Sequence, residues 1–411
     1  MKLWMRFVLG CVIGVVLGLS LPEQGGDTAR LFDRISAIFL NIGRYALFPL
    51  VFFNVVTAVA QLREDGKLYS TVSRTVSVLV VGTVVCVVVG TLAVLLLTPQ
   101  RIPLFIQEGD TITLPTLAET LTETFPRNAF RVFVDVGNSL LPVVVLAVLL
   151  GVVASGDDRS AGPFLDFVDS TGRVMYRLNA VVMEAVAVGL IALTVSRVFV
   201  LRGITDFELF GQLVLIIAAI AGILGVIVLP FLYYMLTAKR GNPFHWLYAM
   251  MPAAIAAVFS GDNYFASAAV FRVARSNLGV SRPVEAPVIS ILAVFGRAGS
   301  AMVIGGSFVL IVQSYTALEI GVSQVLWILG AAMLVSLFLG SVPGAGVLAG
   351  LSWLSDMYQQ GMEEVYLILQ PIVPILISAG VFLDIMLSGF TASVVADAER
   401  ERNALPVRDF V

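Results

Sequence analysis

The chain has 411 residues, of which 58% are hydrophobic and only 13% are charged. A soluble domain carries roughly 25% charged residues, so this composition excludes an ordinary water-soluble protein. The net charge of -3 gives no sign of a basic surface for nucleic acid. One histidine and two cysteines cannot form a His/Cys zinc cluster, and we expect no cofactor.

Apolar runs of about 20 residues predict helices that cross a bilayer, because a helix satisfies its own backbone groups in lipid. The first half contains six such segments: Leu3–Leu21, Ile35–Leu62, Val72–Thr98, Ser139–Ala154, Val168–Leu201 and Leu209–Leu236. We interpret the first as a retained helix rather than a signal peptide, and the polar stretch 99–128 as a loop. Basic residues follow the second and sixth segments and lie near the C-terminus, which predicts that both termini are in the cytoplasm. We expect the protein to lie in the cell membrane (the inner or plasma membrane).

The second half differs, because glycine, proline and charged residues interrupt its apolar segments. Breaks fall at Ser260–Asn263, at Gly296–Ser300 and at Gly340–Gly346, and the last apolar segment carries Asp384. Interrupted helices at membrane depth are tolerated where they line a cavity, and in transporters they mark the substrate site. These breaks predict a secondary transporter. An intramembrane enzyme has no support, since the single His245 leaves no catalytic pair.

Several stretches carry a resemblance to a known family. They are Phe48–Phe53, Pro126–Phe130, the segment from Leu141-Pro142 to Gly151, and Val342–Gly346. Together with the order of segments, they resemble the dicarboxylate/amino acid:cation symporter family, which includes the glutamate transporters. The resemblance implies an all-α polytopic membrane protein with eight transmembrane helices, two re-entrant helical hairpins and an elevator-type transporter fold. It also implies a homotrimer and transport of a small solute across the lipid bilayer.

The resemblance further implies a division of the chain into two parts and a tail. Residues 1–238 would mainly form the scaffold and the trimer contacts, although spans three and six would move with the transport core. Residues 401–411 would form a cytoplasmic tail. Residues 239–400 would form the transport core: hairpin one (242–275), broken span seven (284–312), hairpin two (322–358) and span eight (364–398).

The sequence departs from this family where sodium would bind. Gly296-Arg297-Ala298-Gly299-Ser300 stands where the family has Asn-Met-Asp-Gly-Thr, so two oxygen-bearing side chains are missing. In the third span Leu79, Gly82 and Thr83 are a poorer oxygen set, and no carboxylate follows Asp384 until Asp397. We therefore expect no side-chain metal site. Coupling could be proton-linked, an exchange or absent.

Arg297 and Asp384 are the charged residues that matter most. An arginine within the membrane is costly and indicates a functional site. Arg297 could replace a sodium ion, bind a substrate carboxylate, or form an ion pair with Asp262 or Asp384. By resemblance Asp384 would take the ammonium group of an amino acid, and a pair with Arg297 is the alternative.

These considerations predict a substrate site for an amino acid or, second, a dicarboxylate. Its expected members are Ser260, Asp262, Asn263, Arg297, Val342, Pro343, Gly344, Ala345, Asp384, Ser388 and Thr391. A receptor or anion channel on the same fold is the alternative function. Glu184, in an apolar part of span five, could carry a proton as an isolated buried carboxyl, or face a polar seam.

Overall fold

The computed structural model describes most of the chain, with gaps. The described residues are 2–21, 27–102, 119, 128–134, 139–156, 158–204, 207–237, 241–315, 320–342, 346–358, 364–403 and 405–410. They are almost entirely helical, and among them only Val280 and Arg402 form an isolated β-bridge. The all-helical prediction is therefore confirmed for this part of the chain.

The first half consists of long helices. They are α1 (Leu3–Ser20), α2 (Asp27–Tyr45), α3 (Leu47–Glu64), α4 (Leu68–Leu97), α5 (Leu141–Ala154), α6 (Asp158–Arg202), α7 (Phe207–Gly222) and α8 (Leu229–Leu236). A one-turn helix, Arg131–Val134, precedes α5, and a π-helical turn, Ile223–Val228, joins α7 to α8.

Two prolines explain where these helices depart from single straight spans. The sequence predicts one helix over Ile35–Leu62, but the structure has two, α2 and α3, which meet at Ala46. Pro49 lies in the first turn of α3, where its missing N–H needs no partner and its ring would clash with a continuing helix. Pro230 likewise follows the π-helical turn, which re-spaces the backbone hydrogen bonds around it.

The second half contains paired shorter helices. They are α9 (Pro243–Ser260) and α10 (Asn263–Ser276), α11 (Arg282–Phe295) and α12 (Ala298–Tyr315), α13 (Val322–Ser336) and α14 (Gly346–Tyr358), and finally α15 (Val373–Glu399). We call α9–α10 hairpin one, α13–α14 hairpin two, and Gly296–Arg297 the helix break between α11 and α12. Short 3-10 turns cover Leu339–Ser341 and Val365–Ile372.

Helices α10, α11 and α12 lie at the centre of the bundle, because almost all of their side chains are buried, whereas α9 and α13 are buried on one side only. α12 packs against α4 and α15, and α11 packs against α3. α6 holds the outer helices α1 and α2. The polar groups of the central helices are therefore withdrawn from both water and lipid.

Seven helical stretches in the described part of the chain are long and apolar enough to cross a membrane. They start near Leu3, Asp27, Leu68, Ala161, Phe207, Arg282 and Val365. α5, which corresponds to predicted span four, has 14 residues and would reach about 21 Å at 1.5 Å per residue. This is shorter than a hydrocarbon core of about 30 Å, so the count of eight spans stays a prediction.

Candidate functional site

Asp384 of α15 lies at the start of α12, directly after the helix break. The first N–H groups of a helix have no partner within it and carry a partial positive charge. Asp384 accepts hydrogen bonds from the N–H groups of Gly299 (2.6 Å) and Ser300 (3.2 Å), and from the Ser300 hydroxyl (2.7 Å). The side chain is 1% exposed. A buried carboxylate is thus stabilised by a helix terminus, a partner that the sequence analysis did not identify.

Asn263 brings hairpin one to the same carboxylate. Its Nδ2 donates to Asp384 Oδ2 at 3.4 Å, and its Oδ1 accepts from the Ser267 hydroxyl at 3.1 Å. The bond to Asp384 is the longest of the four that this carboxylate accepts. It is therefore the contact that a bound ammonium group would displace most readily.

Arg297 lies in the helix break and is 5% exposed. Its Nη2 donates to the carbonyl of Ala293 at 3.3 Å, and its Nε has no hydrogen-bond partner among the described residues. Its guanidinium carbon lies 5.5 Å from the centre of the Tyr264 ring. Within the described part of the chain no carboxylate oxygen lies within 4.0 Å of it. The ion pair with Asp262 or Asp384, one of the three alternatives for Arg297, is therefore not formed in this structure, and Asp262 pairs with Arg44 instead.

Tyr264 was missed by the sequence analysis, yet it connects three elements. Its hydroxyl donates to the carbonyl of Gly340 at the tip of hairpin two, and accepts from the N–H of Leu140 at 3.1 Å. The ring is fully buried. Only its position next to Asp262-Asn263 could have indicated it, because an aromatic residue in an apolar run is ordinarily a core residue.

Asp262 and Ser260 lie at the tip of hairpin one, and their hydrogen bonds go to groups other than Asp384. Asp262 caps α10 by accepting from the N–H of Phe265 (2.7 Å), and it forms an ion pair with Arg44 of α2, whose Nε lies 3.1 Å from Oδ1. The Ser260 hydroxyl accepts from the N–H of Asp262 at 3.1 Å. These two predicted site residues bind protein groups in this structure.

Arg197 of α6 also binds the tip of hairpin one. Its guanidinium donates to the carbonyls of Ser260 (2.7 Å) and Phe259 (3.4 Å), at the C-terminal end of α9, and to that of Pro374 (3.3 Å). The positive charge complements the negative end of the helix. The sequence analysis gives Arg197 no role in the site and does not predict this contact.

The remaining predicted site residues are on α15 and at the tip of hairpin two. The hydroxyls of Ser388 and Thr391 donate to carbonyls of their own helix, Asp384 and Leu387, each at 2.8 Å. They keep their acceptor lone pairs for another donor. Val342 is partly buried at the tip of hairpin two, and Pro343, Gly344 and Ala345 lie outside the described residues.

Glu184 is neither isolated nor deeply buried, contrary to the premise of its predicted role. Arg272 of α10 donates to its carboxylate at 2.8 Å, and Arg6 of α1 lies 3.7 Å away. Half of the Glu184 side chain is exposed. The two arginines supply the charge partners that an apolar sequence context did not reveal. Proton carriage by Glu184 stays a prediction.

Broken helices that enclose a buried arginine and a buried aspartate, in a bundle of membrane-length helices, define the core of a helical membrane transporter. Comparison of the sequence agrees with this class. The chain belongs to the sodium:dicarboxylate symporter family, whose model matches residues 3–398. The family and its named members are transporters and not enzymes, as the sequence predicts.

Three relatives illustrate the range of the family. An excitatory amino acid transporter of Caenorhabditis elegans is 23% identical over 391 residues, covering 83% of this chain and 76% of the relative. A proton/glutamate-aspartate symporter of Bacillus subtilis (strain 168) is 24% identical over 47% of each chain. A C4-dicarboxylate transport protein of Acidovorax sp. (strain JS42) is 22% identical over 46% of this chain and 43% of the relative. The chain thus spans less than half of either bacterial relative.

The family name implies a sodium ion, but the side chains at the helix break do not fit one. Sodium is a hard cation that needs several oxygen ligands, as other hard cations do. Gly296 and Ala298 offer no side-chain oxygen, and the guanidinium of Arg297 brings a positive charge. The described residues contain no group of three or more His, Cys, Asp or Glu side chains that could hold a metal.

Proposed function

We propose that the chain is a secondary transporter of a small organic solute that carries a carboxylate, first an amino acid and second a dicarboxylate. The observation that carries this proposal is the pair of buried, opposite charges at the helix break. Arg297 has an unpartnered Nε and no carboxylate within 4.0 Å in the described part of the chain. A buried guanidinium that no carboxylate contacts directly is costly, and a substrate carboxylate would supply a direct partner.

Asp384 supplies the second half of the proposed site. An ionised carboxylate can accept about four hydrogen bonds, and Asp384 accepts three from the start of α12 and one from Asn263. A substrate ammonium group would replace the 3.4 Å bond from Asn263 and gain a charge-assisted one. A dicarboxylate lacks this group, which is why we place it second.

The relatives support the same class of solute. Their names refer to excitatory amino acids, to glutamate and aspartate, and to C4-dicarboxylates, all of which carry carboxylate groups. The identities of 22–24% do not decide between these solutes. The choice between an amino acid and a dicarboxylate therefore depends on Asp384.

We further propose an elevator mechanism, in which core residues 239–400 move against a scaffold within 1–238 while hairpin two opens and closes. The burial of the central helices, and their contacts with one another across the helix break, support a core that moves as a unit. A homotrimer in the cell membrane, with both termini in the cytoplasm, completes the proposal. Sodium-independent coupling, whether proton-linked or by exchange, follows from the poor fit of the break to sodium.

The first test is thermal unfolding of the purified protein with neutral amino acids, acidic amino acids and C4-dicarboxylates. Each compound is measured in sodium chloride and in choline chloride, at two pH values. A ligand of the native state present at about a hundredfold excess over its Kd stabilises by about 2.7 kcal/mol. We expect an amino acid to raise the melting temperature equally in both salts, and its uptake into liposomes to follow.

Two variants show whether the effect belongs to the proposed site. Asp384→Asn removes the charge that would bind an ammonium group, and Asp397→Asn is the matched control outside the site. Stabilisation should be lost in the first and kept in the second. If no compound stabilises the protein, or if Asp384→Asn responds like the wild type, the proposed function fails. A flux far above transporter rates would favour the channel instead.

A further inference from the structure

The C-terminal end of α11 carries a carbonyl that the helix itself does not satisfy. The N–H of Arg297 turns to Phe295 O (2.9 Å) and so does not bond to Ala293, four residues earlier. The Arg297 guanidinium donates to that Ala293 carbonyl instead, at 3.3 Å. The C-terminal ends of broken membrane helices are where transporters coordinate their coupling cations. Here the positive charge at this end is part of the chain.

A second, free cation would be disfavoured at the same place. Two like charges a few ångströms apart repel strongly where water is largely excluded. Arg297 is 5% exposed, so water screens this repulsion poorly. Gly296 and Ala298 add no side-chain oxygen that would offset the repulsion.

The same guanidinium is linked to hairpin two through Tyr264. It lies 5.5 Å from the ring centre, within the range of a cation–π interaction. The hydroxyl of that ring donates to Gly340 at the tip of hairpin two. Gly340 also rests on the end of α11, because a Cβ added there would lie 2.3 Å from the carbonyl oxygen of Val294. Arg297, Tyr264 and Gly340 therefore form one continuous contact.

We propose that Arg297 is a tethered cation that replaces a free coupling ion and holds hairpin two closed through Tyr264. This inference rests on the proposed transport function, since it explains how hairpin two closes over the proposed substrate site without a free ion. It requires that hairpin two stays closed in the absence of sodium and opens when the charge at position 297 is removed.

The test measures opening of hairpin two without any solute. Leu339, at the tip of hairpin two, is 1% exposed, so a cysteine there reacts with a water-soluble maleimide only when the hairpin opens. The reporter is Leu339→Cys in a chain that also carries Cys11→Ala and Cys86→Ala. Modification rates are compared in equal concentrations of sodium chloride and choline chloride, with Arg297 present and with Arg297→Met.

We expect the wild-type rate to be the same in both salts and Arg297→Met to react about tenfold faster, as loss of a desolvated cation–π contact predicts. Arg297→Lys keeps the charge and should stay near the wild type. Arg272→Met removes another buried arginine, 7% exposed, whose hydrogen bonds go to Ala180 and Glu184 of α6 and not to hairpin two, and it should not change the rate. If Arg297→Met does not fold, Tyr264→Phe, which keeps the ring and removes the hydroxyl that bonds to Gly340 and Leu140, should still accelerate modification.

Two results would overturn the inference. One is a slower wild-type modification rate in sodium than in choline, which would show a free sodium site that controls the hairpin. The other is an unchanged rate in both Arg297→Met and Tyr264→Phe. Because no solute is present, failure of every uptake assay would refute the proposed function without affecting this measurement, and the reverse also holds.

Discussion

At the scale of single residues, Asp384 has a structural task as well as the proposed one. Its carboxylate accepts hydrogen bonds from two N–H groups in the first turn of α12, and it thereby fixes α15 against the helix break. An Asp384→Asn variant keeps the shape of the side chain but loses the charge that complements the helix terminus. We expect it to lower the free energy of unfolding by about 1–3 kcal/mol, measured by thermal unfolding without solute.

Ser300→Ala provides a graded comparison. It removes one hydrogen bond to Asp384 and leaves both backbone donors in place, so its cost should be about 1 kcal/mol. A larger loss in Ser300→Ala than in Asp384→Asn would contradict the assignment of the carboxylate as the centre of this network.

The residues of the site show what a single sequence can predict. Arg297, Asn263 and Asp384 were predicted because a charged or amide group in an apolar run is costly unless it has a function. Their partners were not predicted. Arg44 lies 218 residues before Asp262, and Tyr264 lies 76 residues before Gly340, and nothing in the sequence marks such pairs. The premise of an isolated Glu184 was wrong for the same reason.

At the scale of helices, α1 packs on α6 through three glycines spaced four residues apart. A Cβ at Gly14 would lie 2.6 Å from Thr194 Cβ, and one at Gly10 would lie 2.6 Å from the Ala187 carbonyl oxygen. Such contacts allow two backbones to approach closely in a membrane. The spacing can be read from the sequence, but only the structure identifies α6 as the partner.

A Gly14→Leu substitution should therefore separate α1 from α6. We expect a loss of about 1–3 kcal/mol from overpacking, seen as a lower melting temperature in detergent. Gly330→Leu, in α13, is the control, since an added Cβ there meets nothing within 4 Å. Equal melting temperatures for the two variants would show that the α1–α6 contact contributes little to stability.

The C-terminal tail is a second element with a testable attachment. Glu401 accepts a hydrogen bond from Lys67 at 2.7 Å, and its backbone carbonyl accepts from the N–H of Ser281 at 2.9 Å. The hydrogen bond from Lys67 holds the pKa of Glu401 below its ordinary value, and the pKa of Lys67 is raised in return. The pair joins the tail to the loop between α3 and α4.

This attachment should weaken in acid. Because the pKa of Glu401 is lowered in the folded state, its stabilisation is present above the ordinary value of about 4.3 and is lost as the pH falls through the lowered one. Because the pKa of Lys67 is raised in the folded state, its stabilisation is present below the ordinary value of about 10.4 and is lost as the pH rises through the raised one. Hydrogen exchange of residues 401–403 should therefore show protection at neutral pH that declines below about pH 4. In Lys67→Met the acid-dependent decline should disappear.

At the scale of the whole molecule, the proposed scaffold and core are joined at the tip of hairpin one. Arg44 and Arg197 lie in the 1–238 part, whereas their partners Asp262, Ser260 and Pro374 lie in the 239–400 part. Movement of the core against the scaffold must break all of these contacts. They therefore stabilise the conformation seen here over any other that an elevator would visit.

The last prediction follows from removing the ion pair as a unit. Arg44→Gln with Asp262→Asn removes both partners, so that neither is left as an unpaired charge, and asparagine still caps α10. Spin labels at the exposed residues Val181 of α6 and Val258 of α9 report the distance between the two parts. We expect one distance in the wild type and a second, additional distance in the double variant. The ratio of the two populations should change tenfold for each 1.4 kcal/mol of stabilisation removed. Arg402→Gln with Asp397→Asn removes an ion pair that does not join scaffold to core, and it should leave the distance unchanged. A single, unaltered distance in both variants would mean that the two parts do not move against each other, and the elevator proposal would then be untenable.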